Sequence, residues 1–117
     1  MKTFLPILLA ALALPAGAAI LDASQFGKSV EMTVSGYAGS TTLADFPVLV
    51  RLAAGSPTGF DYADCASDGS DIRFADAAGN LIPHEIDTWD AAGESLVWVR
   101  LPAVASGATF TMYFGAK

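Results

Sequence analysis

The chain has 117 residues, 53% of them hydrophobic, with 12 Asp and Glu against 6 Lys and Arg and a formal net charge of −6. That length allows one domain. An acidic surface repels nucleic acid and anionic lipid, and no basic patch with interleaved aromatics offsets it, so no nucleic-acid partner is expected.

The first segment reads as a leader. Lys2 gives a positive start, Phe4 to Leu14 is apolar, and Ala16-Gly17-Ala18 places small residues at cleavage spacing. The apolar run is well short of the roughly 20 residues a spanning helix needs. Residues 1–18 are therefore expected to be a helical signal peptide, cleaved after Ala18, and 19–117 a single domain with no membrane span. The protein is expected to be exported, to a periplasm, a cell surface or the medium. Removing Lys2 with the leader deepens the acidic balance, and removing the apolar run lowers the hydrophobic fraction.

After the leader, apolar residues alternate. Val30, Met32 and Val34 stand against Glu31 and Thr33, and Phe46, Val48, Val50 and Leu52 against Arg51. Ile72 and Phe74 come next, followed by the runs 81–89 and 96–101, then Phe110, Met112 and Phe114. This is the period of strands, punctuated by Gly and Ser clusters, and no stretch after residue 20 sustains a helical stripe. The pattern predicts an all-β fold: an antiparallel, jelly-roll-like β-sandwich of about six to eight short strands.

Between the second and third runs, Asp61, Asp64, Asp68 and Asp71 accompany Gly69. An oxygen-rich loop suits Ca²⁺, so structural calcium is the one cofactor weighed. The spacing departs from the EF-hand and lacks its closing Glu, and a solvated acidic loop is the preferred reading. Cys65, the single cysteine, forms no intramolecular disulfide and reads as a small buried or semi-buried thiol in preference to a reactive nucleophile.

The phrase Asp-Ala-Ala-Gly occurs twice, at Asp76–Gly79 and Asp90–Gly93, each time between strand-like runs. Asp at the start of a turn accepts from backbone N–H groups, and Gly three positions on supplies positive φ. Two successive hairpins follow: 70–75 with 80–86, and 83–89 with 94–101. With Asp76 opposite Asn80, Phe74 faces Ile82 and Ile72 faces His84. With Trp89 opposite Ser95, Ile86 faces Trp98. That register puts Ile72, Phe74, Ile82, Ile86, Leu96 and Trp98 on one face, and Glu85, Asp87, Trp89, Val97 and Val99 on the other. It also makes Arg73 and Glu85 diagonal neighbours, an expected ion pair.

Candidate chemistry is sparse. His84 is the sole imidazole and reads as a histidine at the end of a core, since no orienting constellation accompanies it. Glu85 and Asp87 project from one strand at a spacing tolerable for paired-carboxylate glycoside chemistry, without an evident cleft. Trp89, Tyr62, Tyr37 and Tyr113 are candidates for stacking on sugars, Trp98 less so.

The run "DGSDIRFADAAGNLIPHEIDTWDAAGESLVWVRLP" and the later "GATFTMYFG" resemble a bacterial and archaeal domain-of-unknown-function family, number twenty-three forty-one. The resemblance rests on Gly69, Asp71, Ile72, Arg73, Phe74, Leu81 or Ile82, Glu85, Ile86, Trp89, Trp98, Val99, Pro102, Tyr113 and Gly115, with "FPVLVRL" fitting its first core strand. It implies an N-terminal module of exported proteins, often preceding a concanavalin-A-like, laminin-G-type jelly roll or attached to MotA/TolQ/ExbB-type proton-channel proteins. It brings no catalytic residues.

The expected function is that of a non-catalytic exported accessory module binding a polysaccharide or an envelope protein. Trp89, Tyr62, Glu85 and Asp87 are its candidate ligand-binding residues. The alternatives are an extracytoplasmic module of a proton-channel protein and a small glycan-acting hydrolase using Glu85, Asp87 or His84.

Overall fold

A computed structural model describes residues 19–117; the signal peptide expected at 1–18 lies outside the described residues. The alternating runs become seven strands: β1 Phe26–Thr33, β2 Leu43–Leu52, β3 Arg73–Ala75, β4 Leu81–Ile82, β5 His84–Thr88, β6 Ser95–Val104 and β7 Thr109–Ala116. They form two antiparallel sheets, one of four strands in the order β1-β7-β3-β4 and one of three in the order β2-β6-β5. Short 3-10 turns at Ala23–Gln25 and Tyr62–Asp64 are the remaining regular elements among the described residues.

The two sheets share one core. Val50, Leu52, Val97, Val99 and Leu101 come from the three-stranded sheet, and Phe74, Ile82, Phe110, Met112 and Phe114 from the four-stranded one. Alternation is clearest in β7, where Phe110, Met112 and Phe114 are buried and the residues between them are not. Fully burying each such side chain contributes about 1.5–3 kcal/mol relative to exposure. Phe60 enters from the loop after β2 and packs on Phe114, ring centroids 5.5 Å apart.

The first hairpin has the register expected from sequence, Phe74 opposite Ile82. Pro83 then moves the chain between sheets: β4 pairs with β3 in one, and β5 pairs with β6 in the other. His84 therefore faces Val99, not Ile72. Arg73 pairs in register with Tyr113, while Glu85 pairs with Trp98. The expected Arg73–Glu85 ion pair does not form; Arg73 Nη1 donates to the carbonyls of Ser70 and Ile72 at 2.9 and 2.7 Å.

The second hairpin forms, with Thr88 opposite Leu96 as the expected register requires and a one-residue shift from Ile86 onward. Ile86 faces Val97, and an irregularity between Ile86 and Thr88 leaves Asp87 outside the register. The slip exchanges the faces of β6. Ser95, Val97, Val99 and Leu101 point into the core, whereas Trp98, which the expected register grouped with Phe74 and Ile82, is 42% exposed. The driving force is branched aliphatic packing, since Val97 and Val99 fill the narrow inter-sheet space and a tryptophan in their place would not.

Both Asp-Ala-Ala-Gly phrases are turns. Asp76 Oδ1 accepts from the backbone of Ala78 and of Asn80, each at 2.9 Å, and Asp90 Oδ1 accepts from Ala92 N at 2.9 Å. Only the first turn uses the expected glycine conformation, with φ 87° at Gly79. At Gly93, which lacks a positive φ, an added Cβ would lie 2.8 Å from Asp90 Oδ2 and would push that carboxylate aside. At the start of the described chain, Ala19 and Leu21 run along the first hairpin, with Leu81 N donating to Ala19 O at 2.7 Å and Leu21 N to Gly79 O at 2.8 Å.

Candidate functional site

Two of the sequence-derived ligand candidates meet in space and serve packing. Tyr62 and Trp89 stand edge to face with centroids 5.4 Å apart, and both are partly buried against the core. Trp89 lies so close over Gly69 that a Cβ on Gly69 would be 2.5 Å from its ring. The Tyr62 hydroxyl contacts Leu52 O at 3.0 Å, Gly93 O at 3.2 Å and Ser95 Oγ at 2.8 Å. Ser95 Oγ also accepts from Asp90 N at 2.9 Å. Ser95 is fully buried, and this network satisfies it.

The acidic loop does not assemble. Asp61 accepts from Ala63 N, Asp68 from Ser70 N and Asp71 from Ala66 N. Asp64 instead pairs with Lys28, N to O 2.7 Å. Each carboxylate thus serves a turn or a surface ion pair. Among the described residues, no group of three or more His, Cys, Asp or Glu side chains is placed to hold a metal ion. Cys65 sits in this loop, partly buried. Burial first, and then the carboxylates of Asp71, Asp64 and Asp61, push its thiol up to about 11, so it is protonated and poorly nucleophilic at neutral pH.

His84 and Glu85 are consecutive in β5 and face opposite ways. His84 is half-buried opposite Val99, its ring 5.2 Å from that of Phe74. Burial, followed by the Arg73 guanidinium, holds its pKa below the usual imidazole value. Glu85 is exposed on the outer face, and Asp87 is exposed at the irregularity.

That outer face carries the residue that sequence reasoning ranked last. Trp98 lies on the central strand of the three-stranded sheet, flanked in register by Leu49 of β2 and Glu85 of β5. One row along the sheet, Arg100 pairs with Pro47; one row the other way, Leu96 lies between Arg51 and Thr88. Neighbours two apart along a strand are roughly 6–7 Å apart, and direct cross-strand neighbours about 5 Å. Trp98, Arg100 and Glu85 therefore share one patch. Arg51 is engaged with Glu94, Nη1 to Oε1 3.2 Å. Among the described residues Arg100 has no ion-pair partner. The signal was present in the sequence: Arg100 is in phase with Trp98, and a charged residue marks the phase that faces water.

A second opening lies along the flank where β1 and β2 are both sheet edges. A cleft of about 720 Å³ there is lined by Met32, Val34, Leu43, Phe46, Val48 and Phe110, among others. Phe46 is 44% exposed at this mouth. The same lining includes Glu31, Tyr37, Arg51 and Ser56, so the cleft mixes apolar with polar surface.

Fold and faces define an all-β module of two antiparallel sheets, with an aromatic and ionic patch on the outside of the smaller one. A family described as "Domain of unknown function (DUF2341)" matches residues 68–117. This agrees with the resemblance read from Gly69 to Gly115, and it spans β3 to β7. The stretch "FPVLVRL" in β2 lies outside the match. No curated protein and no solved structure matches the chain.

Proposed function

We propose that this is an exported, non-catalytic β-sandwich accessory module that binds a glycan through the outer face of its three-stranded sheet. The observation that carries the reading is Trp98, an exposed aromatic ring at the centre of a sheet, bracketed by Glu85 and Arg100. An aromatic face offers an apolar platform for the C–H face of a sugar ring, while neighbouring charged groups reach its hydroxyls. The site moves from Trp89 and Tyr62, which are taken up by packing, to Trp98; Glu85 stays in it.

A glycan suits this patch better than an envelope protein. Glutamate is depleted at protein interfaces, and here Glu85 stands directly opposite the tryptophan. The non-catalytic reading is supported by the opposed directions of His84 and Glu85, which keep this imidazole and this carboxylate from converging. Export rests on the apolar run and small residues of the leader. No helix of the described residues is long and apolar enough to cross a membrane.

Retention of the purified protein on insoluble polysaccharides tests the reading. Retention that is lost in Trp98→Ala is expected. Passage of the protein unretained through a panel of plant, algal and bacterial polysaccharides would overturn it.

A further inference from the structure

We infer that the ligand of the Trp98 face is an uncharged polysaccharide, held by stacking of one pyranose ring on the indole and by hydroxyl contacts to Glu85 and Arg100. The inference rests on the glycan-binding reading above and narrows it to a chemical class.

The charges around the indole decide the class. Arg51 and Arg100 are the cations of the patch; Glu85 and Glu94 are its anions, and Glu94 already neutralises Arg51. What remains free is one guanidinium, Arg100, and one carboxylate, Glu85. A uronate, sulfate or phosphate group would meet Arg100 only with a carboxylate nearby. It would also approach a chain whose formal net charge is −6. Like charges in proximity oppose such a ligand at every stage of approach.

A sugar hydroxyl, in contrast, both donates and accepts. The Glu85 carboxylate accepts from one hydroxyl and the Arg100 guanidinium donates to another. The mixed pair that rejects an anion thus complements a neutral polyol. Glu85 is directly opposite Trp98, and Arg100 is its neighbour two residues along β6. Both lie within reach of the rim of a ring seated on the indole. Leu49, on the other flank of Trp98, is partly buried and extends the apolar platform.

The test uses titration calorimetry of the purified full chain with soluble neutral glucan, xylan and galactomannan, and with polygalacturonate and alginate, at low and high salt. Binding to at least one neutral polymer is expected, little changed by salt. Trp98→Ala should weaken it at least about tenfold, Trp98→Tyr should keep a measurable part, and Glu85→Gln and Arg100→Gln should each weaken it less than Trp98→Ala. Unfolding midpoints of the variants check that the fold is retained. Binding confined to the polyuronates, or falling steeply with salt, would overturn the neutral assignment and leave the glycan reading standing. Binding of neutral polymers that survives Trp98→Ala would overturn the site. Absence of binding to any polymer would overturn both.

Discussion

The Tyr62 hydroxyl lies 2.8 Å from Ser95 Oγ, at a point where three segments meet. Tyr62 belongs to the loop after β2, Ser95 opens β6, and Asp90 N reaches the same serine oxygen from the second hairpin. Ser95 faces Leu52, whose carbonyl is also within hydrogen-bond distance of the tyrosine. Removing either hydroxyl leaves buried polar partners unmatched, a cost of about 1–3 kcal/mol. Tyr62→Phe and Ser95→Ala are each expected to lower the urea midpoint by that measure. The double variant should lose less than the sum, because the two changes share one contact. Strict additivity would show that the network is not cooperative.

Gly69→Ala is expected to displace Trp89. The residue has φ 73°, and an added Cβ would approach Trp89 Cε3 to 2.5 Å. A non-glycine residue at such φ costs about 1 kcal/mol before any clash. The fluorescence of Trp89, read in a Trp98→Phe background, should shift to the red as the ring leaves its half-buried seat. An unchanged spectrum with unchanged stability would mean that the loop yields without disturbing the indole.

The two Asp-Ala-Ala-Gly turns should differ in strength. The Asp76 carboxylate accepts from Ala78 N, Asn80 N and Asn80 Nδ2, the last at 3.1 Å, whereas Asp90 accepts from Ala92 N. Burial pushes the Asp76 pKa up, but hydrogen bonds from Asn80, Ala78 and Gly79 outweigh it and leave the pKa below the ordinary carboxylate value. A lowered carboxyl pKa stabilises the fold above the unfolded value and loses that contribution as pH falls through the folded one. Asp76→Ala should cost about 1 kcal/mol at neutral pH, more than Asp90→Ala, and the gap should close in acid below about pH 3.9. Chemical denaturation of both variants at neutral and acid pH decides the order.

His84 should give a separate pH dependence at milder acidity. Its folded pKa is lowered, burial acting first and the Arg73 charge second, so the unfolded chain takes up a proton before the folded one does. The stability contribution is fully present above the unfolded value, about 6.5, and is lost as pH falls from there through the lowered folded value. Urea midpoints between pH 8 and pH 5 should therefore decline, and His84→Gln should flatten that part of the curve. A decline of equal size in the variant would assign the effect to other groups.

Length, period-two alternation and turn chemistry determined a great deal by themselves. They required an all-β domain with antiparallel hairpins at both Asp-Ala-Ala-Gly phrases, and they placed Phe74 opposite Ile82. Those features are local: a side-chain period of two and a hydrogen-bonding aspartate act within a few residues. Tertiary structure decided which sheet and which face each strand serves. Pro83 sends β4 and β5 to different sheets, which separates Arg73 from Glu85. The irregularity at Asp87 shifts β5 by one residue, enough to bring Trp98 to the surface and to carry Val97 and Val99 inward. Alternation marks two faces, and apart from a charge such as Arg100 it does not say which is inner. The choice comes from how well each set fills the space between sheets, and that space exists only once both sheets are in place. The candidate site follows the same rule: Glu85 and Arg100, fifteen positions apart in the chain, flank one indole because β5 and β6 lie side by side.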